Sequence, residues 1–136
     1  MKWEYGNLVM GDHIRVNRKH YYHHGVYIGN NEVIHYTAKN NDGIASPNEV
    51  KVRKTSLDFF LDGGVVEKAV YSHHEKKNCF SSEERVKNAT SFLGEGNYNF
   101  VNNNCEHFAN RCCYKKHPET QIDNWRKKVA GIFKHD

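Results

Sequence analysis

The sequence predicts an α+β domain, an antiparallel sheet packed against helices, on three observations. Residues 23–38, HHGVYIGNNEVIHYTA, read as two short strands joined through Gly29-Asn30-Asn31-Glu32, a hairpin signal. The back half instead repeats apolar residues at helical spacing behind Ser and Asn caps. The chain has 136 residues, enough for one core without disulfide staples, and no repeat, low-complexity stretch or long linker divides it. Residues 1–136 are therefore expected to form a single domain.

Element by element, VMGDHIRVN (9–17) carries β-formers around a Gly-Asp turn signal and predicts a first strand. The hairpin follows. NNDGIASPNEV (40–50) is a loop by its Asn, Gly and Pro content and leads into a strand near Val50 to Arg53. TSLDFFLDGG (55–64) has a Thr/Ser cap, one apolar helical turn and a Gly-Gly stop, and VVEKAVYS (65–72) is another strand. SSEERVKNATSFLGEG (81–96) predicts a helix with serine caps, an apolar face of Val86, Ala89, Phe92 and Leu93, and a stop at Gly94. NCEHFANRCCYKK (104–116) predicts a helix capped by Asn104, with Glu106 and Lys115-Lys116 suited to the two ends of its dipole. A last amphipathic helix over 119–133 places Ile122, Trp125, Val129, Ile132 and Phe133 on one stripe, expected to pack against its own domain.

Composition narrows the function. No apolar run is long enough to span a bilayer, and Met1-Lys2-Trp3-Glu4 opens no apolar signal region, so a cytoplasmic home with reduced thiols is expected. Cys79, Cys105, Cys112 and Cys113 are too sparse for a small disulfide scaffold. No C-x-x-C pair is present, and Cys105, His107 and Cys112 make a poor ligand spacing, so neither metal nor cofactor is expected. Twenty basic residues against sixteen acidic ones leave basic clusters such as Arg126-Lys127-Lys128. Taken alone, those clusters fit an anionic membrane and a nucleic acid equally well.

The chemistry centres on Cys105. With Asn104 as cap, Cys105 stands in the first turn of a helix, where unpaired N–H groups and the positive dipole end favour a thiolate and can donate to an oxyanion. A thiolate nucleophile needs a histidine base and a group that orients it. Ten histidines are available; His73, His74, His107, His117 and His135 read as surface residues, whereas His23, His24 and His35 lie on the hairpin strands. A two-residue turn at Asn30-Asn31 would put His24 on His35's face, and a three-residue loop or a bulge would put His23 there instead. Pattern alone does not choose.

HHGVYIGNNEVIHY, followed by NNNCEHFAN and preceded by MGDHIRV, resembles the lecithin:retinol acyltransferase-like family over residues 8 to 116. These are thiol acyltransferases and phospholipases of permuted papain-like topology, related to the NlpC-type cysteine peptidases. The family pattern is a His, a variable residue, a small residue, then apolar-Tyr-apolar-Gly, with a second His twelve positions on and the nucleophile in Asn-Cys-Glu-His-Phe. The resemblance implies Cys105 as nucleophile, His23 as its base and His35 as the group orienting His23, which requires the loop or bulge register. His24 falls on the variable position and remains a reserve base. It also implies a permuted papain-like fold and a lipid or other acyl-ester substrate. The basic clusters beside the 119–133 stripe add peripheral contact with anionic membrane as an expectation, and no nucleic acid is expected. Two further readings stand beside it: an NlpC-type amidase or peptidase, and a non-catalytic binding module on the same fold.

Overall fold

The computed structural model describes residues 1–99, 104–118 and 120–132, without the side chains of Ile122 and Ile132. Phe133 and His135, and with them the end of the predicted amphipathic stripe, lie outside the described residues, as do Asn102 and Asn103. Six strands, β1 (Lys2–Glu4), β2 (His13–Asn17), β3 (Tyr22–Gly29), β4 (Glu32–Thr37), β5 (Lys51–Ser56) and β6 (Val66–Val70), make one sheet in the order β1-β6-β2-β3-β4-β5. Every pairing is antiparallel. Among the described residues five α-helices accompany it, α1 (Leu57–Leu61), α2 (His73–Lys76), α3 (Ser82–Ser91), α4 (Cys105–Cys113) and α5 (Gln121–Ile132), with one 3-10 turn at Pro47–Glu49.

Strand alternation divides the sheet into two faces. Val26, Ile34, Tyr36 and Val52 bury against Ala89 of α3 and Phe108 and Cys112 of α4. Ile14, Val16, Val33 and Phe60 form a smaller core on the other face, where α1 packs. Each fully buried side chain of this kind contributes about 1.5–3 kcal/mol, so the larger cluster on the α4 face contributes more than the smaller one and packs α4 against β3.

The hairpin register is decided by a bulge. Asn30 and Asn31 both take positive φ, 53° and 57°, the geometry of a two-residue primed turn. Gly29 accordingly opposes Glu32, yet Tyr27 opposes Val33 and Val26 opposes Ile34. Ile28 is the extra residue. From Tyr27 backwards the strand is shifted by one position, which turns His23 rather than His24 to the face that carries His35.

Four features differ from the expectations. β1 is a three-residue edge strand, too short to show alternation. α2 is a single turn closed by a Ser72–Glu75 capping box, a local signal in a stretch otherwise polar. α3 ends at Ser91, so Leu93 lies beyond it and is 43% exposed, while Arg85 on the helix is buried, its guanidinium donating to the carbonyls of Phe80 and Gly11. On α5, Trp125 is 62% exposed. That helix is held at its start, where Gln121 N–H donates to Glu106 (2.7 Å) and the Gln121 side chain brackets Tyr22. The expectation that its stripe buries against the domain therefore fails at Trp125.

Candidate functional site

α4 begins as its sequence dictates. The Asn104 side chain accepts from the N–H groups of Glu106 (3.0 Å) and His107 (3.1 Å). Asn104 N–H in turn donates to His107 Nδ1 (3.4 Å), so His107 closes a capping box where Glu or Gln is usual. It is a half-buried structural residue, not the plain surface histidine expected.

Cys105 occupies the first position of this helix and is 8% exposed. Its thiol points to the Tyr22 carbonyl at 3.9 Å. Burial pushes the thiol pKa up to about 12, and the charges of Glu106 and Asp42 add to this. The N–H groups of His24 and Glu106 pull the other way without prevailing. The resting sulfur is therefore a thiol. The expected helix-start stabilisation is present, but desolvation outweighs it. None of the four cysteines is in a disulfide.

His23 and His35 meet on the α1 face, with His23 Nε2 2.8 Å from His35 Nδ1. His35 Nε2 lies 2.8 Å from Thr55 Oγ1, and that hydroxyl donates its one proton to the Ser56 carbonyl (3.1 Å). Thr55 therefore accepts from His35 Nε2–H, His35 Nδ1 is an acceptor, and His23 Nε2–H donates to it. His23 Nδ1 is left with its lone pair, the form a base requires. Phe60 packs against both rings. Burial holds the pKa of His23 down to about 4 and that of His35 well below its ordinary value.

Gly25 explains the small residue between His23 and the apolar stretch. A Cβ there would stand 2.8 Å from Val33, 2.9 Å from Phe60 and 3.2 Å from His35. Only hydrogen lets Phe60 close over the histidine pair.

His24 lies on the α4 face in a second buried cluster. Its Nδ1 is 2.8 Å from His13 Nε2, and His13 Nδ1 is 2.7 Å from the Tyr114 hydroxyl. Its Nε2 has no hydrogen-bond partner among the described residues and stands 3.9 Å from Glu106 Oε2. Nothing in the sequence pattern signals this cluster, since Trp3, His13, His24 and Tyr114 come from four separate segments.

A cavity of about 530 Å³ opens at the start of β3 and brings the two halves together. Cys105 and His23 both line it, with Tyr36, Tyr98, Ile44 and Trp125 as its apolar walls. His35 stands behind His23 rather than in the wall. No hydrogen bond joins Cys105 to His23 among the described residues; the thiol is directed at the Tyr22 carbonyl instead. Asp42, which no motif announced, lines the same cavity. Among the described residues no group of three or more His, Cys, Asp or Glu side chains is arranged to hold a metal ion, and no helix is long and apolar enough to cross a membrane.

The fold and site define a class: an α+β domain whose helix-start cysteine shares a largely apolar cavity with one member of a tautomerically fixed strand histidine pair. Within that class, the profile described as lecithin retinol acyltransferase matches residues 7–118, and the chain belongs to this family. It is 28% identical to lecithin retinol acyltransferase of Mus musculus over 151 aligned residues, covering 97% of this chain and 65% of that protein. Against the Homo sapiens protein of that name it is 27% identical, covering 97% of this chain and 66% of the relative. It is also 30% identical over 114 residues to phospholipase A and acyltransferase 2 of Homo sapiens, covering 77% and 70%. The chain thus spans about 65% of the length of the lecithin retinol acyltransferases it matches.

Proposed function

We propose that the protein is a cysteine-dependent acyltransferase or acylhydrolase acting on lipid esters, phospholipids first among them, within a single domain of permuted papain-like fold. The observation that carries this is the shared cavity: Cys105 and His23, whose Nδ1 keeps its lone pair, line one largely apolar cavity. Membership of a family whose relatives are named for lecithin, retinol and phospholipid supports the substrate class.

In this reading Cys105 Sγ attacks the ester carbonyl carbon as its proton passes to His23 Nδ1. His35, fixed by Thr55, holds the His23 ring and accepts from its Nε2–H throughout. The N–H groups of Glu106 and His107 already donate to the Asn104 side chain, so this reading assigns the Cys105 N–H to the oxyanion. As the tetrahedral intermediate collapses, the C–O bond breaks and His23 returns its proton to the leaving alcohol. The acyl thioester then passes to water or to an alcohol or amine acceptor. Because the resting thiol and imidazole are both neutral, the proton moves within the attack step instead of beforehand.

The mouth of the cavity suits a substrate drawn from a lipid surface. Ile44 and Trp125 flank it at 56% and 62% exposure, and Arg126, Lys127 and Lys128 follow on the exposed side of α5. Peripheral contact with an anionic bilayer belongs to the same proposal.

The test is intact-mass analysis after incubation with phospholipid vesicles. A mass increment equal to one acyl chain is expected on Cys105, absent in Cys105→Ala and kept in Cys112→Ala and Cys113→Ala. An unmodified wild-type protein under conditions where it remains folded would overturn the proposal.

A further inference from the structure

Asp42 sits in the irregular loop between β4 and β5, yet it is among the most firmly held carboxylates in the molecule. Arg18 grips it with two bonds, Nε to Oδ2 at 2.8 Å and Nη2 to Oδ1 at 3.1 Å. Arg18 is itself fixed by donating to the carbonyls of Phe60 (2.6 Å) and Leu61 (3.1 Å). The Tyr21 hydroxyl donates to the same carboxylate. The loop is braced independently, with Gly43 N–H on Asn41 Oδ1 (2.8 Å) and Ala38 N–H on the Asn41 carbonyl (2.9 Å). All of this aims one oxygen, Oδ1, at His23 Nε2 from 3.7 Å, with both side chains on the same cavity.

We propose that Asp42 is a positioning residue that stabilises His23 when it carries the thiol proton. This rests on the acyl-transfer reading of the site. His35 accepts the Nε2–H of His23 in both protonation states but, being neutral and held by Thr55, offers no negative charge. Asp42 supplies that charge. Burial opposes its ionisation, but the Arg18 bond, the charge of His23 and the Tyr21 bond hold its pKa down to about 2, so it stays a carboxylate throughout. The groups facing His23 are His35, Asp42 and Arg18, and Arg18 is the cation whose repulsion Asp42 offsets. The charge of Asp62 also acts on Arg18. As the thiol proton moves to Nδ1, the imidazolium forms beside a charge already in place, with no rearrangement of the loop.

The experiment measures p-nitrophenyl ester turnover by full-length wild type, Asp42→Asn and Asp42→Glu between pH 6.5 and 8.5, with Cys105→Ala as baseline. An opposite charge at this range moves a titrating group by about 1 to 3 pH units, so Asp42→Asn should lose about tenfold or more in kcat with KM kept. Asp42→Glu, which restores the charge, should recover most of the loss. If Asp42→Asn does not fold, Asp42→Ser carries the same expectation. A carboxylate that merely fastened the loop would raise KM and lower the urea midpoint with kcat intact, and that result would overturn the proposal. Cys105-independent turnover in the wild type would instead remove the acyl-transfer reading beneath it.

Discussion

Four histidines, His13, His23, His24 and His35, are buried to 2% exposure or less, and burial is the first cause that holds each of them neutral. The pKa falls to about 3 in His13 and about 4 in His23, and lies well below the ordinary 6.5 in the other two. Arg15 and Arg85 add to the effect at His13, while Asp42 opposes it at His23. Below pH 6.5 the unfolded chain takes up protons that the folded chain refuses. Stability therefore falls as pH falls, from about 6.5 downward, until the folded groups begin to titrate near 4.

From pH 7.5 to 5.5 an unfolded histidine gains one pH unit of linkage, about 1.4 kcal/mol, so four together cost about 5 kcal/mol. Glu106, whose pKa burial raises, acts in the opposite sense and returns part of this. The net is about 3–5 kcal/mol, comparable with the whole stability of many domains. Urea titrations at the two pH values, followed by tryptophan fluorescence, should show the midpoint lower by about 2 M at pH 5.5 for a slope of about 1.5–2 kcal/mol/M. His24→Phe, which removes one of the four groups, should reduce that difference by about a quarter. Equal midpoints at pH 7.5 and 5.5 would refute the reasoning, because they would mean that the folded protein accepts these protons and that His23 is not held as a neutral base.

Other consequences are more local. Gly25→Ala drives a methyl into Val33 and Phe60, and the urea midpoint should fall by the equivalent of about 1–3 kcal/mol, with Cys105 acylation impaired because Phe60 no longer closes on the histidine pair. Thr55→Val removes the acceptor that fixes the His35 tautomer; kcat should drop about tenfold or more while KM is kept, as for a group acting only on the base. Trp125→Ala should weaken sedimentation with anionic vesicles and raise the apparent KM for vesicle lipid, while turnover of a soluble short-chain ester is preserved.

What was legible in the sequence was local chemistry. Asn104 before Cys105 announced a helix start because an N-cap acts over three residues, and Ser81 with Glu84 did the same for α3. The hairpin followed from the turn signal at Gly29-Asn30-Asn31-Glu32. The features missed are those whose meaning arises only from distant partners. Asp42 is an unremarkable loop residue until Arg18, twenty-four positions earlier, closes on it. The burial that keeps Cys105 a thiol comes from the assembled α4 face, and no helix-start rule contains it.

The hairpin shows where local rules reach their limit. Asn30-Asn31 forms the two-residue turn that its sequence favours, and with an unbroken ladder that turn would have set His24 against His35. His24 would then have lost its bond to His13, and His23 would have faced α4. Ile28 prevents this by adding one residue to β3 alone, a choice invisible to alternation because Ile is as good a strand residue as its neighbours. The turn sets which strands pair. The bulge sets which imidazole stands before His35, Phe60 and Asp42, and hence which one has the fixed tautomer and the neighbouring carboxylate that the proposed base for Cys105 calls for.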